Sequence, residues 1–116
     1  MIRRELKSFS HALRGLKFLF QSQKHFRFHV LATVLVVALG FWFSVTALEW
    51  AVLLLCCGVV LMAEALNSAL EAALDHLHPD IHPSVGKAKD MAAAGVLVVS
   101  VLSAVIGILV FWPYVL

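Results

Sequence analysis

Glu64, Asn67, Glu71 and Asp75 fall inside and at the end of a long apolar stretch, at spacings of three, four and four residues. On a helix those spacings put all four side chains on one face. A carboxylate at membrane depth is costly, so acidic residues in spanning segments usually mark a functional site. Further along, Lys87, Lys89 and Asp90 open another apolar run, and Arg4 adds a basic group near the N-terminus. Carboxylates can hold Mg²⁺, which bridges phosphate oxygens, while Lys or Arg neutralises the remaining charge. Glu64, at the membrane boundary, could take the proton from a lipid hydroxyl. Two readings of these residues stay open: phosphoryl transfer, or a structural polar stripe that holds helices together. No G-x-x-x-x-G-K-[ST] sequence occurs, which excludes a P-loop enzyme.

These residues need elements to carry them, and composition narrows the choice. Of 116 residues, 62% are hydrophobic, and the mean hydropathy is +0.95. Globular chains run at about 45–50% apolar, and one this short has too little interior to hide the excess. The fold expected is an all-α integral membrane bundle, with one N-terminal amphipathic surface helix and three membrane helices. Ile2, Leu6, Phe9, Leu13, Leu16 and Phe20 recur at spacings of three and four, with Arg3, Arg4, Lys7, Arg14 and Lys17 off that stripe. That pattern suits a helix over residues 1–26 lying on an anionic membrane surface, or one docked on the protein's own core. Its charged region is too long for a cleavable signal peptide.

The membrane helices are expected over 28–48, 50–76 and 88–112. Phe28 to Leu48 is a run of 21 residues without charge, enough for the roughly 20 that a bilayer core needs. Gly40 and the cluster Phe41, Trp42, Phe43 near its far end resemble an interfacial aromatic belt. Trp50 to Ala63 supplies only 14 uncharged residues, about 21 Å at 1.5 Å per residue. Glu64 therefore sits in the opposite leaflet near its headgroups, with Glu71 and Asp75 emerging beyond it. Pro79, Pro83 and Gly86 read as a loop over residues 76–86. Met91 to Trp112 gives 22 uncharged residues for the last span.

The net charge of +2 hides an asymmetry. All nine Lys and Arg lie between Arg3 and Arg27 or at Lys87 and Lys89, and all six histidines share their side. The positive-inside rule then gives a multi-pass protein with its N-terminus in the cytoplasm and its C-terminus outside. The adjacent Cys56 and Cys57 point about 100° apart on a helix, which makes a disulfide between them implausible. His76, His78 and His82 have the ligand type for Zn²⁺, but the intervening Pro79 breaks the geometry, and loop histidines beside phosphate are the competing reading. Small residues such as Ala63, Ala65, Ala69, Ala72 and Ala92 to Gly95 allow close helix approach. Three helices of this size enclose little, so walls from further copies of the chain are expected.

The segment Glu64-Ala65-Leu66-Asn67-Ser68-Ala69-Leu70-Glu71-Ala72-Ala73-Leu74-Asp75, followed by Gly86-Lys87-Ala88-Lys89-Asp90-Met91-Ala92-Ala93-Ala94, resembles the prokaryotic diacylglycerol kinase family. The resemblance covers nearly the whole chain. His25-Phe26-Arg27-Phe28-His29 and the ending Phe111-Trp112-Pro113 look more like its Gram-positive-type branch, the undecaprenol kinases. It implies a homotrimeric kinase of the bacterial cytoplasmic (inner) membrane, with sites at subunit boundaries, that moves the γ-phosphate of ATP to a lipid alcohol with Mg²⁺. Undecaprenol is the favoured acceptor and diacylglycerol the alternative, with no role for nucleic acid. By this likeness Glu64 is the proton acceptor, Asn67 a polar residue beside it, and Glu71 a metal-binding carboxylate that also meets the nucleotide. Lys89 and Asp90 match the nucleotide-binding pair, and Asp80, Ile81 and His82 another nucleotide contact. Arg4 and His11 are weaker matches to nucleotide-contacting positions, and Asp75 is a supporting group. The family pattern has a second metal-binding Glu where this chain has Gln23, whose amide oxygen can coordinate Mg²⁺ but brings no charge.

Two further classes compete with a kinase. A small proton-coupled transporter would use Glu64 as its coupling carboxylate, but has no need of the Lys-Ala-Lys-Asp phosphate cradle. A non-catalytic membrane subunit would use the polar stripe for assembly alone.

Overall fold

The computed structural model of the chain describes residues 1–116 and consists of four helices without strands. They are α1 (Ile2–Ser22), α2 (Lys24–Phe43), α3 (Ala47–Leu77) and α4 (Pro83–Val115). The last three are each long and apolar enough to cross a membrane. The chain forms a slab of 52 × 42 × 22 Å. Helices α3 and α4 pack against each other most extensively, α2 lies on α3, and α1 makes its main contacts with α2.

Only 7 of 116 residues are buried. In water this exposure of Leu, Val, Phe and Trp would forfeit the hydrophobic driving force of folding, so the apolar faces need lipid or other protein around them. With the runs of apolar residues long enough to span, it identifies a multi-pass membrane protein.

Several boundaries differ from those expected. The junction between α1 and α2 is the single extended residue Gln23 (φ −110°, ψ 107°) rather than a segment after residue 26. Phe26 belongs to α2 and is buried, while Arg27 reaches back to finish α1. Its Nη1 donates to the carbonyls of Phe20 at 2.9 Å and Gln21 at 3.0 Å, two of the four acceptors that a helix end leaves free. At the other end of the chain, α4 starts at Pro83, not at residue 88. Proline suits the first helical turn because its missing N–H has no partner there. The His82 ring caps the turn, with Nδ1 accepting from the Ser84 N–H at 3.1 Å. The connection is therefore confined to residues 78–82.

Ser44, Val45 and Thr46 make the turn between α2 and α3. Ser44 is left-handed (φ 52°, ψ 53°), and the Ser44 and Val45 N–H groups donate to the carbonyls of Phe41 and Gly40. This is the Schellman arrangement on a residue other than glycine. Thr46 and Glu49 form a capping box: the Thr46 N–H donates to Glu49 Oε1 at 2.9 Å, and Thr46 Oγ1 accepts from the Glu49 N–H at 3.2 Å. The Tyr114 hydroxyl donates to the same Glu49 oxygen, tying α4 to α3. Phe43 packs between Phe111 and Tyr114, and Trp50 lies against Phe41 and the Cα of Gly40. The aromatic cluster at this end thus clasps the three membrane helices.

Candidate active site

Leu53, Val60, Glu64 and Ser68 are the buried residues of α3, and their spacing of seven, four and four keeps them on its inward stripe. Glu64 is 4% exposed. One turn on, Asn67 and then Glu71 are half-buried, and Asp75 is exposed. The acidic face thus runs from a dry end to a wet end along about three turns of one helix. A proton acceptor shielded from water and an ion site open to it are separable along such a gradient.

Two pairs of expected site residues meet. Asn67 Nδ2 donates to Glu71 Oε1 at 3.4 Å, while Asn67 Oδ1 is buried without a partner. Lys89 Nζ donates to Asp75 Oδ1 across the gap between α4 and α3. The start of α4 therefore lies beside the end of α3, as the sequence implied. Asp90, next to Lys89, is exposed.

Other expected residues stay apart within a single chain. Arg4 and His11 are exposed on α1, Gln23 is half-buried at its junction with α2, and Asp80, Ile81 and His82 are exposed in the connection. None of these six makes a side-chain bond to the acidic stripe. No three His, Cys, Asp or Glu side chains cluster closely enough to hold a metal ion, so His76, His78 and His82 do not form the Zn²⁺ site weighed from the sequence. What is present suits a harder cation: the Glu71 carboxylate and the orphaned Asn67 Oδ1 are neighbouring oxygen donors. Mg²⁺ commonly takes one or two protein oxygens and fills its shell with water and phosphate.

One residue of the site escaped the sequence reading. His29, on α2, brings Nε2 to 3.8 Å from Glu64 Oε2, and both side chains are largely buried. It also lines an apolar groove of about 460 Å³ between α2, α3 and α4, with Val36, Val60, Ser103 and Gly107 among its walls. A polar residue in an otherwise apolar helix was the available signal. Its partner, 35 positions away, was not visible in local spacing.

Comparison with known proteins finds relatives over most of the length of the chain. The profile of the family described as prokaryotic diacylglycerol kinase matches residues 10–111. The undecaprenol kinase of Bacillus subtilis (strain 168) is 37% identical over 112 residues, covering 97% of this chain and 91% of that protein. The diacylglycerol kinase of Escherichia coli (strain K12) is 29% identical over 111 residues, covering 96% and 91%. That of Helicobacter pylori (strain J99) is 31% identical over 113 residues, covering 97% and 81%. The matches favour phosphoryl transfer over the transporter and the non-catalytic subunit.

Proposed function

Because this chain belongs to the prokaryotic diacylglycerol kinase family and is a lipid kinase, we propose undecaprenol as the alcohol that it phosphorylates. The observation that carries the choice is the higher identity to the undecaprenol kinase than to the diacylglycerol kinases. Diacylglycerol, with phosphatidic acid as product, is the acceptor to test against it.

In this reading the lipid enters sideways from the bilayer and places its hydroxyl at Glu64. The Glu64 carboxylate takes the hydroxyl proton as the alcohol oxygen bonds to the γ-phosphorus of ATP. The bond from that phosphorus to its bridging oxygen breaks in line, and ADP leaves. The burial of Glu64 supports the role, because a base kept from water does not activate water to attack ATP in place of the alcohol. Glu71 and Asn67 would hold Mg²⁺, with Gln23 as a further oxygen; bound there, the ion supplies charge neutralisation for the phosphates. Lys89, held by Asp75, and Asp90 face the nucleotide at the water-exposed end. Residues Arg4, His11, Asp80, Ile81 and His82 complete that surface when copies assemble.

The homotrimer in this reading comes from the family resemblance, and the dispersal of the expected site residues within one chain supports assembly from several copies. Helix α1 lies on the cytoplasmic membrane surface, with Leu6, Phe9, Leu13 and Leu16 in the acyl layer. The N-terminus is cytoplasmic and the C-terminus outside.

The deciding experiment offers undecaprenol and diacylglycerol side by side to the purified protein in mixed micelles with Mg²⁺ and labelled ATP. Preference for undecaprenol is expected. Preference for diacylglycerol would retain the chemistry and overturn the acceptor. Glu64→Gln should abolish transfer while nucleotide binding persists; substantial activity in that variant would remove Glu64 as the base.

A further inference from the structure

Burying a carboxylate is expensive unless donors meet it. Glu64 is 4% exposed, yet its approach to His29 Nε2 stops at 3.8 Å, about 1 Å beyond hydrogen-bond length. The two residues come from different helices, so the gap depends on how α2 sits on α3. The imidazole is not free to wander: the ring of Phe28 meets it edge-on, with centroids 5.5 Å apart and planes at 78°. Thr33 Oγ1 donates to the His29 carbonyl at 2.8 Å, strapping the next turn of α2 to this residue.

The position of the ring gives the pair its meaning. His29 lines the groove between α2, α3 and α4, and so does Val60, one turn before Glu64 on α3. Glu64 itself is not part of the groove wall. A long-chain alcohol whose tail follows that groove meets the imidazole where its hydroxyl must find the carboxylate. Apart from His29, the groove walls offer Thr33, Cys56, Cys57, Ser100 and Ser103 as polar or thiol groups, and no ionisable nitrogen.

We propose that His29 is a positioning residue for Glu64, its Nε2–H donating to Oε2 so that the other carboxylate oxygen faces the acceptor hydroxyl. The inference rests on Glu64 being the base. Contacts that are long in a substrate-free site commonly tighten when the reactants arrive. A relative movement of about 1 Å, by rotation of either side chain or by closer packing of α2 on α3, closes the gap, and filling the groove supplies the occasion. Fixing one oxygen leaves a single oxygen to accept the proton. The cost of losing that orientation follows from the sensitivity of proton transfer to placement, where a 1 Å error amounts to about 100-fold in rate.

The test compares His29→Leu, which keeps the bulk and removes the donor, with His29→Gln, which restores an N–H donor. Both are assayed on undecaprenol beside Glu64→Gln, with kcat, KM for each substrate and thermal unfolding recorded. The expected result is a fall in kcat of about 10- to 100-fold for His29→Leu, with KM for ATP and thermal unfolding unchanged. His29→Gln should recover much of the rate. Full activity in His29→Leu, or equal losses in the two variants, overturns the proposal, as does a change confined to KM for ATP. If His29→Leu unfolds, His29→Gln decides: recovery of most of the native rate supports the proposal, and a folded Gln variant whose kcat falls about 10- to 100-fold overturns it. Activity in Glu64→Gln would fail the general-base reading whatever His29 does. An inactive Glu64→Gln beside fully active His29 variants would fail only the present proposal.

Discussion

Replacing Gly40 by alanine perturbs a close contact between α2 and α3. A Cβ on Gly40 would lie 2.5 Å from Trp50 Cη2, 2.8 Å from Cζ2 and 2.9 Å from Cζ3. Carbon atoms rest at about 3.5–4.0 Å, so the indole must retreat by roughly 1 Å. It has little room, because Phe41 lies against it with ring centroids 4.9 Å apart. Overpacking of this kind costs about 1–3 kcal/mol. The assay is equilibrium unfolding in mixed detergent micelles, run as a double-mutant cycle with Trp50→Leu, which removes all three clashing atoms. Gly40→Ala should be destabilising in the native background and close to neutral beside Leu at position 50. Trp50 and Glu64 are 14 residues apart on α3, about 21 Å along the helix. Activity per folded molecule should therefore persist. Equal costs in the two backgrounds, or no cost in either, would refute the tight contact; lost activity in folded protein would refute the separation of clasp and site.

Two more perturbations address the water-exposed end. The Asp75–Lys89 pair has side chains 64% and 33% exposed, so Asp75→Asn should cost no more than about 1 kcal/mol of stability. If the pair holds Lys89 ready for phosphate, KM for ATP rises up to about fivefold, the equivalent of 1 kcal/mol, at unchanged kcat; a lowered KM would mean that Asp75 competes with the nucleotide. Gln23→Glu adds a charged oxygen ligand, and the Mg²⁺ concentration for half-maximal rate should fall in a titration. An unchanged Mg²⁺ dependence would remove Gln23 from the site.

The spans were legible because charge is absent over residues 28–48 and 91–112 and because the Lys and Arg residues are confined to positions 3–27, 87 and 89. The acidic face was legible because a helix converts spacing into direction. What local pattern did not convey was contact between helices. His29 lies in an apolar run and acquires meaning only through Glu64 on another helix. Pro83 read as a breaker, whereas at the first turn proline starts a helix, and the His82 cap made that possible. Thr46-x-x-Glu49 carries a capping signature in plain view, yet Glu49 alone does not announce Tyr114, which is 65 positions away. The number of copies in an assembly has no local signature at all, for apolar faces toward lipid and toward protein have the same composition.

The three-residue turn at Ser44, Val45 and Thr46 bears on how the protein gets into the bilayer. Backbone groups that cross the hydrocarbon layer without partners cost several kcal/mol each. Here the turn carries its own partners: the carbonyls of Gly40 and Phe41 are taken by the turn's N–H groups, and the capping box serves the start of α3. The turn also has no Lys or Arg, and Glu49 is the lone charge that accompanies it. With its backbone groups met locally, the turn can cross the hydrocarbon layer at low cost, which suits α2 and α3 to insertion as one helical hairpin. Tyr114, bonded to Glu49, then ties α4 to that hairpin.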